Sequence, residues 1–350
     1  MTDRRRVLTG AGAASLALAG NAAFAADKAR GPAPGPGSAK AFARKMGPRC
    51  RVMVVNDLSG DIDGLFATVH ALLSSSAEVR RIVGTAAQEA SETAQVSVQN
   101  AEEILRLMGL SGKIPVHLGA ATRMTDTTTP VDCPGARAII AEAMRDDPLP
   151  LYVTVGGGLT EMASALLIEP KIGKRCTLVW IGGGSHPQGS PREYNLMLDK
   201  KAAQVVFNDT AVPIFQVTEK AYGTCQVSDT EIQAHVAPFG AIGAWLYQRI
   251  VEGYPEFERH GVNAGETWTL GDSPLVLLTA LTGGVPSGRS RPFKYERTSS
   301  PYQELFVPSL RDDGSYEPRS EGRLMRVFDS VDTRLMFGDF FAKLRMNYGP

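Results

Sequence analysis

Apolar and polar positions along the chain switch repeatedly between two periods. Arg51-Val52-Met53-Val54-Val55 is a short β-branched run that stops at Asn56-Asp57, and the apolar positions from Leu65 to Leu73 follow at helical spacing. This spacing predicts strand, loop, helix. The unit recurs as a strand at 81–84, a helix at 93–108 with Ala94, Val98, Ala101, Ile104 and Leu105 on one face, and a strand at 114–118. A helix at 138–144, a strand at 151–155, a helix at 159–167 and a strand at 177–181 continue it, and 324–328 with 334–344 predict a closing strand and helix. Such alternation predicts an α/β fold, a mainly parallel, doubly wound sheet flanked by helices on both faces. Sheets of this kind bind ligands beyond the carboxyl ends of their strands, so the chemistry is sought just after each strand.

Composition narrows the class. Of 350 residues, 43% are apolar and 7% aromatic, as in a soluble globular protein. Lys and Arg number 37 and Asp and Glu 37, so no net charge draws the chain to polymeric nucleic acid or an anionic membrane. The N-terminus changes the domain picture: Arg4-Arg5-Arg6, a small apolar run through Ala19, and Ala23-Phe24-Ala25 in the form of a cleavage site. These predict an export signal over 1–25, of the twin-arginine type, and a periplasmic or extracellular location. The apolar run falls short of the roughly 20 residues a membrane span needs. Residues 26–46, rich in Pro, Gly, Ala and Lys, predict a flexible lead-in, leaving 47–350 as the main domain. Cys50, Cys133, Cys176 and Cys225 show no C-x-x-C pairing, and Cys176, opening an apolar run, is expected to be a buried hydrophobe.

The strand ends carry the informative residues. Asn56-Asp57-Leu58-Ser59-Gly60-Asp61-Ile62-Asp63-Gly64 places three carboxylates within one short loop. Like charges this close repel unless a cation or solvent separates them, which suggests a hard-metal site; a solvated acidic turn is the alternative. An EF-hand is rejected, because Ile62 falls where its loop needs glycine and Thr68 where it needs a bidentate Glu. Gly156-Gly157-Gly158 and Gly182-Gly183-Gly184 follow two later strands and could open loops around a ligand, but neither is a phosphate loop or a dinucleotide fingerprint.

Five blocks, in order and at matching spacing, resemble the inosine-uridine-preferring nucleoside hydrolases. They are the aspartate loop; Ile114-Pro115-Val116-His117-Leu118-Gly119-Ala120; Gly158-Leu159-Thr160; Trp180-Ile181-Gly182-Gly183-Gly184 followed by Arg192-Glu193-Tyr194-Asn195 and Asp199-Lys200-Lys201-Ala202-Ala203; and Leu270-Gly271-Asp272-Ser273-Pro274-Leu275. The resemblance implies a hydrolase that cleaves the N-glycosidic bond of a ribonucleoside with a calcium-bound water, commonly as a homo-oligomer. By position it implies Asp57 as calcium ligand and general base, Asp272 and the Gly156 carbonyl as further calcium ligands, and Asp63, Glu193 and Asn195 on the ribose hydroxyls. Nearby carboxylates would favour the oxocarbenium-like sugar that forms as the bond breaks.

The chain departs from the family pattern in places. Val55 stands for the loop's first aspartate and Gly64 for its last, a metal ligand; Asp61, in a one-residue insertion, is the candidate replacement ligand. Gln88 and Glu161 stand where the family has asparagines, and Gly271 where it has a histidine. Gln88 is kept as a substrate-binding candidate. Among single residues, His70 is expected in the core, as is Trp180. His186 is balanced between ligand binding and solvent exposure, and Trp268 between packing and stacking on a base. Two further readings compete: a non-catalytic nucleoside or sugar binder on the same scaffold, and a hydrolase of another ribosyl or glycosyl compound.

Overall fold

The computed structural model describes residues 47–259, 265–285 and 295–349. The predicted export signal and lead-in lie outside the described residues. The first strand, β1, is Cys50–Asn56; the loop after it leads into α1, Asp63–Leu73. There follow β2 (Ala77–Gly84), α2 (Ala94–Leu107), β3 (Val116–Leu118), α3 (Pro134–Ala143), β4 (Leu151–Gly156), α4 (Thr160–Ile168) and β5 (Thr177–Ile181). Next come α5 (Tyr194–Leu198), α6 (Lys200–Asn208), β6 (Ile214–Val217), α7 (Glu219–Tyr222), β7 (Gln226–Ser228), α8 (Asp229–His235) and α9 (Gly240–Arg259). The remainder contains β8 (Thr267–Thr269), α10 (Pro274–Val276), β9 (Gly283–Val285), β10 (Tyr295–Arg297), β11 (Gln303–Phe306), β12 (Ser309–Leu310), β13 (Tyr316–Glu317), β14 (Leu324–Phe328) and α11 (Thr333–Tyr348).

Among the described residues the main sheet has eight strands in the order β11-β14-β6-β5-β4-β1-β2-β3, all neighbours parallel except the edge pair β11 and β14. The doubly wound, mainly parallel sheet predicted from periodicity is what forms. Side chains alternate across it: Val52 and Val54 join one apolar layer with Phe66 of α1, Ile104 of α2 and Phe340 of α11. Met53 and Val55 join the other with Ile139 of α3, Ala163 of α4 and Phe207 of α6. Each face therefore removes a large apolar area from water, the main driving force for the fold.

Local chemistry moves some predicted boundaries. β2 begins at Ala77, four residues before the predicted start, because the half-buried Glu78, Arg80 and Arg81 interrupt its apolar pattern. β3 opens at Val116 because Pro115 has no N–H to give a ladder; its carbonyl still accepts from Ile82 N at 3.0 Å. α3 starts at Pro134, four residues before the predicted start, with Pro at the first turn and Cys133 Sγ accepting from Ala136 N as the cap. At the amino end of β1, the buried Arg51 guanidinium donates to Glu142 Oε1 at 2.7 Å, tying strand to α3. All four cysteines are buried and free, as expected for Cys176. Among the described residues no helix is long and apolar enough to cross a membrane.

Candidate active site

β1 and β4 are neighbours, with Asn56 opposite Gly156. From β1 the chain winds outward through β2 and β3; it then returns to β4 and winds the other way through β5 and β6. The winding reverses between β1 and β4, and the crevice beyond their carboxyl ends is where an open α/β sheet offers a ligand site. The aspartate loop leaves β1 at that point. Asp57 N donates to Gly156 O at 3.1 Å, joining the two strand ends.

Asp57 and Asp272 are buried, Asp63 is half-buried and Asp61 exposed. Asp63 is the first residue of α1, where its charge meets the positive end of the helix dipole. Its Oδ2 accepts from Asp272 N at 3.0 Å, so the first loop and the late turn before α10 are held together. Asp61 Oδ1 accepts from Ile62 N at 2.6 Å and from Trp268 Nε1 at 3.4 Å. The fully buried Asn56 donates through Nδ2 to Asp272 Oδ2 at 2.6 Å, while its Oδ1 has no partner.

Electrostatics reports the same crowding. Burial, then the negative charges of Asp272 and Asp61, hold the Asp57 carboxyl well above the usual carboxylate range. Burial followed by Asp272, Asp61 and Asp57 does the same to Asp63. Asp272 is pushed up to about 7, chiefly by burial, although the Asn56 hydrogen bond opposes the rise; Asp61 and Glu193 add to it. Removal of the charged form from water and repulsion between like charges act in one direction here, and a bound cation would reverse both.

The glycines at the end of β4 admit these carboxylates. A Cβ on Gly156 would lie 2.1 Å from Asp272 Oδ2. Gly157 has φ +143°, and a Cβ there would come within 3.3 Å of Asp57 Cγ. Its carbonyl is fixed by Trp180 Nε1 at 3.0 Å, so this core residue also shapes the site.

Glu193 caps α5 from a buried position. Its Oε2 accepts from Gly183 N at 2.6 Å and Leu196 N at 2.8 Å; its Oε1 accepts from Asn195 N at 3.1 Å and the Tyr222 hydroxyl at 2.8 Å. Burial raises its pKa and these bonds oppose the rise. Asn195 Nδ2 donates to Ile181 O at 2.9 Å. The pair thus fastens the second glycine triplet to the end of β5. Gln88 is exposed and lines a cleft of about 420 Å³ beyond β2 and β3, together with Thr85, Glu92, Gly119, Glu161 and Leu198. The aspartates do not line that cleft, but Glu92 in its wall raises the pKa of Asp57 and adjoins Tyr194 electrostatically.

Other predicted residues fall in plain places. His70 is buried, with Nε2 at 2.8 Å from Asp339 Oδ2 and its ring against Phe340. Trp268 is buried edge-on to Tyr254 at 5.2 Å, so it packs rather than offering a face to a base. His186 is half-buried rather than solvent-exposed, with Nε2 at 3.0 Å from Gln216 Oε1 and its ring against Tyr316. Sequence reasoning did not single out Asn56, Tyr194 or Tyr222. Asn56 had a legible signal, being a polar residue on the strand face that Val52 and Val54 make apolar. Tyr222 fills the space at Gly271, where a Cβ would lie 3.2 Å from both the tyrosine ring and Asp63 Oδ2.

Fold and carboxylate cluster define a doubly wound α/β protein with an acidic, oxygen-rich site at its topological switch point. The family model described as "Inosine-uridine preferring nucleoside hydrolase" matches residues 54–327, and the chain belongs to that family. The inosine-uridine preferring nucleoside hydrolase of Crithidia fasciculata is 36% identical over 75 residues, which is 21% of this chain and 24% of that protein; the match thus spans about a quarter of the relative's length. The pyrimidine-specific ribonucleoside hydrolase RihA of Citrobacter koseri is 25% identical over 238 residues, 59% of this chain and 73% of that protein. Among solved structures, the plant nucleoside hydrolase PpNRh1 shares the fold with a TM-score of 0.63 at 17% identity, covering 85% of this chain and 99% of that one.

Proposed function

We propose that this chain hydrolyses the N-glycosidic bond of a ribonucleoside, releasing ribose and the free base, and that calcium assists. The observation that carries the reading is the meeting of Asp57, Asp63 and Asp272 beside the Gly156 carbonyl, at the point where β1 and β4 part. The names of the family and of its relatives support the same reaction.

The donor set suits a hard cation, because every candidate ligand is an oxygen. Among the described residues no three His, Cys, Asp or Glu side chains already surround one metal position, so the set draws on amide and carbonyl oxygen as well. The buried, unpartnered Asn56 Oδ1 is the kind of atom a cation would satisfy. Asp57, Asp272 and the Gly156 carbonyl are the proposed holders, and Asp61, exposed and turned to Ile62 N and Trp268 Nε1, would have to swing inward to join them. When bound, calcium would supply Lewis-acid activation of water and an anchor for sugar hydroxyls.

The chain's own groups account for the rest. Asp57 takes a proton from water as the oxygen adds to the anomeric carbon; the C–N bond breaks and its electron pair leaves with the base, which is protonated from solvent. Asp63 orients the ribose and Glu193 favours the developing positive charge, with Asn195 and Gln88 as further substrate contacts. The paired arginines and Ala23-Phe24-Ala25 support export of the folded enzyme.

Reducing-sugar release from a panel of purine and pyrimidine ribonucleosides tests this. Wild-type protein with calcium should turn over at least one of them, and Asp57→Asn should lose about 10²–10⁴-fold in kcat. Equal turnover by the variant would remove Asp57 from the reaction.

A further inference from the structure

The loop lacks a carboxylate at Gly64, and the structure accounts for the space. An ideal Cβ at residue 64 would lie 2.1 Å from Asn56 Oδ1 and 2.9 Å from its Cγ, far inside contact distance. On the other side, a Cβ at Gly156 would lie 2.5 Å from Asn56 Nδ2. The Asn56 amide therefore occupies a slot that exists only because both facing residues are glycine. Any side chain at position 64 and the present Asn56 rotamer exclude one another.

The amide's orientation is set by its neighbour. Asp272 Oδ2 is an acceptor 2.6 Å from one end of the amide, so that end is the NH₂ group and the carbonyl oxygen points the other way, towards Gly64. That oxygen is fully buried and has no hydrogen-bond partner. A buried amide oxygen left bare costs about 1–3 kcal/mol unless something fills its coordination.

We propose that Asn56 Oδ1 is a calcium ligand, taking the place of the carboxylate absent at Gly64, while Asn56 Nδ2 holds Asp272 in position. The ligand has moved from the start of α1 to the end of β1, and a neutral oxygen replaces a charged one. Calcium affinity rises with the number of charged ligands, so this site is tuned weaker than one with an aspartate at that place. The inference rests on calcium binding by the site as proposed above.

The test is isothermal titration of calcium chloride into the metal-stripped mature protein, with circular dichroism as the check on folding. Wild type should bind calcium, and Asn56→Ala should bind at least about 10-fold more weakly, each ligand lost being of that order. In Asn56→Ala/Gly64→Asp the slot is free for a carboxylate and affinity should return, whereas Gly64→Asp alone meets the amide and should not tighten binding. Wild-type affinity in Asn56→Ala would overturn the assignment while leaving a calcium-assisted hydrolase intact. If Asn56→Ala does not fold, Asn56→Ala/Gly64→Asp decides: affinity at least about 10-fold below wild type in that folded variant overturns the assignment. No calcium binding by wild type would overturn both this assignment and the calcium-assisted reading beneath it.

Discussion

Tyr222 donates its hydroxyl proton to Glu193 Oε1 across 2.8 Å, so the short helix after β6 is tied to the cap of α5. Both groups adjoin the aspartate cluster, because Glu193 raises the pKa of Asp272 and Asp63 raises that of Tyr222. Glu193→Gln puts an amide NH₂ where only donors now point, leaving at least one backbone N–H without an acceptor. We expect a loss of about 1–3 kcal/mol of stability and a fall in kcat. Tyr222→Phe leaves three of the four bonds to Glu193 and should cost about 1 kcal/mol. Urea unfolding and steady-state kinetics on the two variants should rank them in that order.

Trp180 is fully buried and its Nε1 holds the Gly157 carbonyl at 3.0 Å, immediately beside Asp57. Trp180→Phe removes the donor and leaves a void, an expected loss of about 2–4 kcal/mol. Because Gly157 packs on Asp57, kcat should fall as well. Thermal denaturation with a parallel turnover assay checks this, and an unchanged kcat would mean that the loop holds its place without the indole.

His70 gives the fold a predictable acid sensitivity. Burial, opposed by the Asp339 hydrogen bond, lowers its pKa from 6.5 to about 4, so the folded state keeps it neutral where the unfolded chain protonates it. Asp339 is held below the usual carboxylate range, the effect of its bonds to His70 and Lys343 exceeding that of burial, and so stays charged across the same interval. Between pH 6.5 and 4 the unfolded state binds the extra proton at this site, so the contribution of His70 to stability falls as pH falls, by about 3 kcal/mol across the window, while the raised carboxyls of Asp57, Asp63 and Asp272 act in the opposite sense. His70→Gln should remove that contribution alone, so the difference between the wild-type and variant stabilities, measured by urea unfolding at half-unit steps, should change by about 3 kcal/mol across the window. A difference between the wild-type and variant curves that stays constant through the window would contradict the buried neutral imidazole.

The sequence was most legible where strands are buried on both faces. Val52 to Val55, Leu151 to Val155 and Thr177 to Ile181 are short runs that only a central parallel strand buries completely, and each forms close to its predicted bounds. The four-residue β6, just after Pro213, is too short to carry a period, and its place next to β5 is set by tertiary pairing. The aspartate loop was visible because like charges cluster in it. The use of Asn56 was not, since the meaning of a lone asparagine at a strand end depends on glycines 8 and 100 residues away in sequence meeting it in space. Glu193 was legible as an acidic residue near the site but not as a helix cap, because no chain spacing announces that Gly183 and Tyr222 converge on it.

The most direct measurement is hydrolysis of a ribonucleoside substrate in ¹⁸O-labelled water with calcium present, followed by mass spectrometry of the products. Addition of water at the anomeric carbon predicts free ribose carrying one heavy oxygen at that carbon, an unlabelled free base, and no requirement for phosphate. Free base with unlabelled sugar, sugar phosphate in place of ribose, or no bond cleavage in any nucleoside tried would contradict the nucleoside hydrolase reading.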